Sequence, residues 1–149
     1  MKQFANELKK IIDRHRDSLG ALSSGMEFKT APGKWSKKEL IGHMIDSAQN
    51  NIRRFLITQY EEAPHIVYQQ DSWVSLSGYQ QRNTKDLIDL WYLLNKQVCA
   101  IFEKMPPGIS QRKCLTEELH TLEWLAKDYV KHLLHHLHHV LELEPVLYP

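Results

Sequence analysis

The stretch HLLHHLHHV, His132 to Val140, holds five of the chain's nine histidines. Imidazole is an indifferent helix former. At neutral pH it is neither a strong surface charge nor a good core group, and its distinctive uses are proton transfer and metal ligation. Leucines are spaced through the run and more chain follows, so it is no purification tag. At 100° per residue, with His132 as origin, His136 falls at about +40°, His139 at about −20° and His135 at about −60°. Asp128, a turn earlier, falls at about −40°. Val130, Leu133, Leu137 and Leu141 centre near about +130°, and His138 alone among the five lies off the histidine stripe. The stripe therefore runs beside a core face, where a helical bundle builds a cofactor site.

Histidines four apart on one helix face can chelate one ion, and two such pairs are present: His132 with His136, and His135 with His139. Two ligands are too few for a catalytic zinc-type site, which takes three and keeps a position open. The third should come from another helix, and His43, in ELIGHMIDSAQNNIRRF, is the strong candidate. From His43 as origin, Glu39, Asp46, Ser47, Asn50 and Arg54 all fall within about 60°, while Ile41, Met44, Ile45, Ala48, Ile52 and Phe55 fall between about +100° and +200°. One polar face thus carries a ligand, a carboxylate, an amide and a guanidinium. Asp46 is the candidate orienter or base, Asn50 and Arg54 are candidate substrate-binding donors, and Arg54 suits an anionic group. The competing reading is a merely solvated face on each helix. Three histidines on polar faces beside core faces favour metal over it. His15, His65 and His120 have no companion at ligand spacing and read as surface or loop residues.

Four long helical segments must position these groups. Phe4, Leu8, Ile11, Ile12 and Leu19 recur at helical spacing and Gly20 stops the first. SKKE, Ser36 to Glu39, is a capping box that opens the second, which runs to about Tyr60. HIVYQQDSWVSLSGYQQRN, 65–83, shows no helical period and reads as a long connection. The third helix starts near Thr84, carries Leu87, Leu90, Trp91, Leu94, Val98 and Ile101, and is broken by MPPG. A short irregular segment leads to Thr121, which caps a fourth helix ending about Leu143. With few strand signals and no internal repeat, the pattern predicts an all-α four-helix bundle in one domain, 1–149. The long second connection fits a topology other than simple up-down hairpins.

Composition narrows the partners. A formal net charge of +1 gives no reason to expect nucleic acid or an anionic membrane. The apolar runs are too short to span a bilayer, and MKQFANELKK places charges where a signal peptide needs an apolar stretch. Cys99 and Cys114 form no motif and read as apolar filler, so a cytoplasmic location is the simplest expectation.

These segments resemble a known family. WSKKELIGHMIDSAQNNIRRF resembles the segment around the first metal ligand in the DinB-like superfamily, particularly its YfiT-type branch. YVKHLLHHLHHV is similar to its second signature, in which a histidine and another four residues later complete the ligand set. EEAPHIVYQQDSWVSL and LIDLWYLLN are similar to its connection and third helix. The resemblance covers most of residues 30–142. It implies a four-helix bundle with one divalent ion, nickel or zinc, on His43, His132 and His136, leaving His135 and His139 as neighbours. It also implies a small-molecule substrate and a homodimer. The chemistry implied is S-transfer with a low-molecular-weight thiol such as bacillithiol, or metal-dependent hydrolysis. Tyr68 and Trp73 match the family's connection, where packing is their simplest role. Asn95 and Arg54 are candidates for the pocket wall. The alternative is a non-catalytic metal- or ligand-binding bundle, which would close its site with four protein ligands instead of keeping exchangeable water.

Overall fold

The computed structural model describes residues 1–22 and 24–148. Four long helices carry the architecture: α1 (Lys2–Gly20), α2 (Lys37–Ile57), α4 (Thr84–Lys104) and α5 (Leu122–Leu141), with a short α3 (Gln70–Ser77) between the second and third of them. The N-terminal signals act as their residue types require. The Ser36 hydroxyl accepts from the Glu39 amide at 3.2 Å, and the Glu39 carboxylate accepts from the Ser36 amide at 2.9 Å. Asn83 caps α4 through the Asp86 amide, and Thr121 caps α5 through the Trp124 amide.

Each long helix buries an apolar stripe in one core, in which Leu8, Ile12, Ile45, Trp91, Phe102 and Leu137 are sealed from solvent. α1 packs against α4 and α5, and α2 packs against the same two. Helices adjacent in sequence, α1 with α2 and α4 with α5, therefore stand diagonally across the bundle, so the topology is not one of simple up-down hairpins, while the long connection joins α2 and α4, which are neighbours. This diagonal order sets α2 directly beside α5, so their polar edges meet. No helix among the described residues is long and apolar enough to cross a membrane.

Two segments depart from the sequence reading. The connection over 65–83 is not structureless: it contains α3 and a 3-10 turn at Tyr79–Gln81. Eight residues give too few turns for a period to be legible, and of α3 only Val74 is buried. Packing, not periodicity, holds it. Gly78, at φ 63°, ends the helix in the left-handed region that glycine enters without strain. Tyr79 then packs on α2 at Gly42, where a Cβ would lie 2.1 Å from the tyrosine ring. The irregular segment before α5 is a small antiparallel hairpin of β1 (Lys113–Leu115) and β2 (Leu119–Thr121), registered with Cys114 opposite His120. Its outer edge is closed by Ile66, whose amide donates to the Leu115 carbonyl at 2.9 Å. Strands of three residues are too short for alternation to show in sequence.

Candidate metal centre

The polar face of α2 is not solvated. His43 and Asp46 are each 1% exposed and Asn50 is fully buried, because α5 and the α3 segment cover them. On α5, His132 and His136 lean toward α2 from consecutive turns. The Nε2 atoms of His43 and His132 stand 3.1 Å apart, those of His132 and His136 3.0 Å, and all three lie within 4.8 Å of one another. The rings meet edge to face, at interplanar angles of 72° to 76°.

This arrangement keeps the imidazoles neutral. Burial pushes His43 down to about 4, against the opposing pull of Asp71. Burial, with the crowding of neighbouring histidines adding to it, pushes His132 to about 3 and His136 to about 2. Neutral imidazole is the ligating form. One Nε2 has a single in-plane valence, so that of His132 cannot make straight hydrogen bonds to both neighbours. Three nitrogen lone pairs aimed at a common point suit a cation, and an all-imidazole donor set suits zinc, nickel or copper. The residues present therefore fit a divalent metal.

The other histidines turn elsewhere. His135 donates from Nδ1 to the Val146 carbonyl at 2.7 Å, His138 donates to the Glu144 carbonyl at 2.6 Å, and His139 is exposed. The pair His135/His139 is not brought to His43. His15, expected at the surface, is buried, with Nδ1 held by the Ile11 carbonyl at 2.8 Å. His120 lies in β2, with its ring stacked 3.6 Å from that of Trp124, and His65 is exposed.

Asp46 does not orient His43 by a hydrogen bond. Its Oδ1 accepts from the Tyr79 hydroxyl at 2.5 Å, while its Oδ2 and the Nδ1 of His43 are both buried without a partner among the described residues. Burial raises Asp46 to about 6 despite that hydrogen bond. Asn50 and Asn95 are spoken for. Asn50 donates to the Asp46 carbonyl and accepts from Arg53. Asn95 donates to the Trp91 carbonyl and accepts from Tyr129 at 2.7 Å, deep in the core. Neither lines a groove at the histidines. The amide that does is Asn51, one residue on from the expected position.

Two grooves reach the cluster. A polar one of about 990 Å³ ends at His132 and is lined by Asn51, Arg54, Tyr68, Asp71 and Asp128. A second, of about 1000 Å³, ends at His136 and is lined by Phe28, Lys34, Trp35, Leu40 and again Asp71. Arg54 donates from Nε to the Ile66 carbonyl at 3.2 Å and from Nη1 to Asn51 at 3.4 Å. These contacts hold its guanidinium at the groove wall. Tyr68 shares that wall and packs edge-on against Trp73, centroids 5.5 Å apart. Asp71, Trp35 and Tyr148 were not assigned a role from sequence. Trp35 packs at a tilt over the His43 ring, centroids 4.9 Å apart. Tyr148 sits 5.2 Å from the His132 ring with its hydroxyl on Asp128 at 3.0 Å. All three lie outside the long helices, where no period says which way a side chain points.

Comparison with known proteins identifies the family and the fold. YfiT from Bacillus subtilis (strain 168) is 28% identical over 115 residues, a match covering 74% of this chain and 65% of that protein. The chain thus spans just under two thirds of that relative's length. A solved structure is described as "YfiT from Bacillus subtilis is a probable metal-dependent hydrolase with an unusual four-helix bundle topology". It superposes with a TM-score of 0.85 at 22% identity, covering 94% of this chain and 83% of that one, and establishes the four-helix bundle. The family model of the DinB superfamily matches residues 7–140. The chain belongs to the DinB superfamily.

Proposed function

We propose that this protein is a divalent-metal-dependent enzyme acting on a small molecule, with His43, His132 and His136 as the ligands. The observation that carries the reading is the convergence of three neutral Nε2 atoms, from two helices, between two open grooves. Hydrolysis is the first chemistry: the relative is described as a "probable metal-dependent hydrolase", and no fourth protein ligand stands at the cluster among the described residues. A bound zinc-type ion supplies a water or thiol that ionises near neutral pH. The chain's own groups do the rest. Arg54 has no carboxylate within ion-pair distance among the described residues, and its guanidinium binds an anionic group of the substrate. Trp35 and Tyr148 cover the rings and limit water around them. The presence of two grooves supports a second reading, transfer between two reactants, for which a low-molecular-weight thiol is the natural nucleophile. Nickel or zinc as the ion, a homodimer and a cytoplasmic location complete the proposal.

Metal analysis of untagged protein tests it. About one divalent ion per chain is expected, retained on dialysis and lost in His43→Ala. Full occupancy in His43→Ala overturns the ligand set. A loaded site without an exchangeable water, followed by water-proton relaxation with a paramagnetic ion, makes the protein a non-catalytic binding module.

A further inference from the structure

We propose that Asp71, and not Asp46, is the acid–base group of this site: it takes the proton of the attacking nucleophile and returns it to the leaving group. The proposal rests on the metal-enzyme reading above. Asp71 stands in the first turn of α3, which packs across α2 beside His43. It is the residue common to the linings of both grooves, the one ending at His132 and the one ending at His136. It does not belong to the set of groups whose ligand atoms lie within 4.8 Å of one another. A carboxylate so placed stands outside the three-histidine set yet lines both grooves that reach it. Its oxygens are free, because it makes no side-chain hydrogen bond or ion pair among the described residues, and it is exposed to both grooves. Its charge also reaches the His43 ring.

Asp46 lacks the exposure and the place in the grooves. It lines neither groove, is sealed from solvent, and gives one oxygen to Tyr79. The charged and titratable groups that share these linings with Asp71 are Arg54, Glu117, Glu118, His120, Asp128 and His132 in the polar groove, Lys34, Lys37, His136, His139 and Glu142 in the other, and Lys29 and Glu39 toward the α2 start. In hydrolysis the balance is simple. The oxygen of water bonds to the electrophilic carbon or phosphorus as one water proton passes to the Asp71 carboxylate. The bond to the leaving group then breaks, and that proton leaves on it.

Cobalt(II) is the probe, because its visible spectrum followed against pH reports ionisation at the open ligand position without any substrate. Asp71→Asn should keep about one cobalt per chain with affinity within about threefold of wild type. Its spectral midpoint should lie about one pH unit lower, since one nearby negative charge no longer opposes loss of a proton. Hydrolysis of p-nitrophenyl acetate by the loaded protein should fall by about 100-fold in Asp71→Asn, and added formate should restore part of the rate in Asp71→Ala. A loss of cobalt affinity beyond about 100-fold would make Asp71 a ligand and overturn the proposal. An unchanged midpoint overturns it as well, whether or not that ester is a substrate, and leaves the metal-enzyme reading standing. A wild-type protein that binds no cobalt removes that reading itself, and Asp71's role with it.

Discussion

Three imidazoles packed nitrogen to nitrogen make the metal-free chain sensitive to acid. In the unfolded chain each titrates near about 6.5, whereas in the fold burial holds His43 near about 4 and His132 near about 3. The unfolded state therefore binds more protons through this window. The stability that the depressed groups contribute is complete above about 6.5 and is lost as pH falls toward the folded values. The slope is up to about 1.4 kcal/mol per pH unit for each histidine. Asp46 opposes this: raised to about 6 by burial, it favours the fold at low pH and loses that contribution as pH rises through 6. Urea midpoints of metal-free protein should fall between pH 6.5 and 4, and His132→Gln should flatten the fall. An identical pH dependence in the variant would mean that His132 titrates normally in the fold.

At the scale of elements, α2 and the α3 segment are joined by a wedge. Tyr79 sits against Gly42 so closely that a Cβ there would lie 2.1 Å from the ring, and the same tyrosine donates to Asp46 one turn further along α2. A glycine inside a helix costs about 1 kcal/mol relative to alanine, yet here it admits the ring that docks the segment carrying Asp71. Gly42→Ala should consequently destabilise the protein by about 2 kcal/mol, the usual cost of overpacking, instead of stabilising it by helix propensity. Thermal melts decide the sign. A raised Tm in Gly42→Ala would show that Tyr79 moves aside freely.

At the scale of the molecule, the candidate centre ties α2 to α5, two helices far apart in sequence but adjacent in the bundle. An ion bound only by the folded chain stabilises it by mass action, about 2.7 kcal/mol at a hundredfold excess over Kd. Zinc or nickel should then raise Tm by about 5–10 °C for a chain of this size, with chelator reversing the rise. His43→Ala should melt at one temperature with or without metal. A rise of wild-type size in that variant would place the stabilising ion elsewhere, with the exposed His139 and its neighbours the first place to look.

The long helices were legible in sequence because each stands on signals that act locally. Leu8, Ile12 and Leu19 recur at the helical period, Ser36 and Glu39 form a box across one turn, and Thr121 caps at one residue. The histidine stripe was legible for the same reason, since 3.6 residues per turn alone align His132 with His136. Spacing left His135 with His139 equally eligible, and it is contact with α2 that separates the pairs. Only the diagonal packing of α2 beside α5 brings His43 to His132 and buries the polar face around Asp46 and Asn50. Asn95 shows the limit from the other side: a polar residue on a good helix face, it points into the core because Tyr129 on α5 donates to it there. Asp71 was hidden for a third reason. It lies on a helix too short to carry a period, held by Val74 and Tyr79 against α2, and only that docking aims a carboxylate at the grooves.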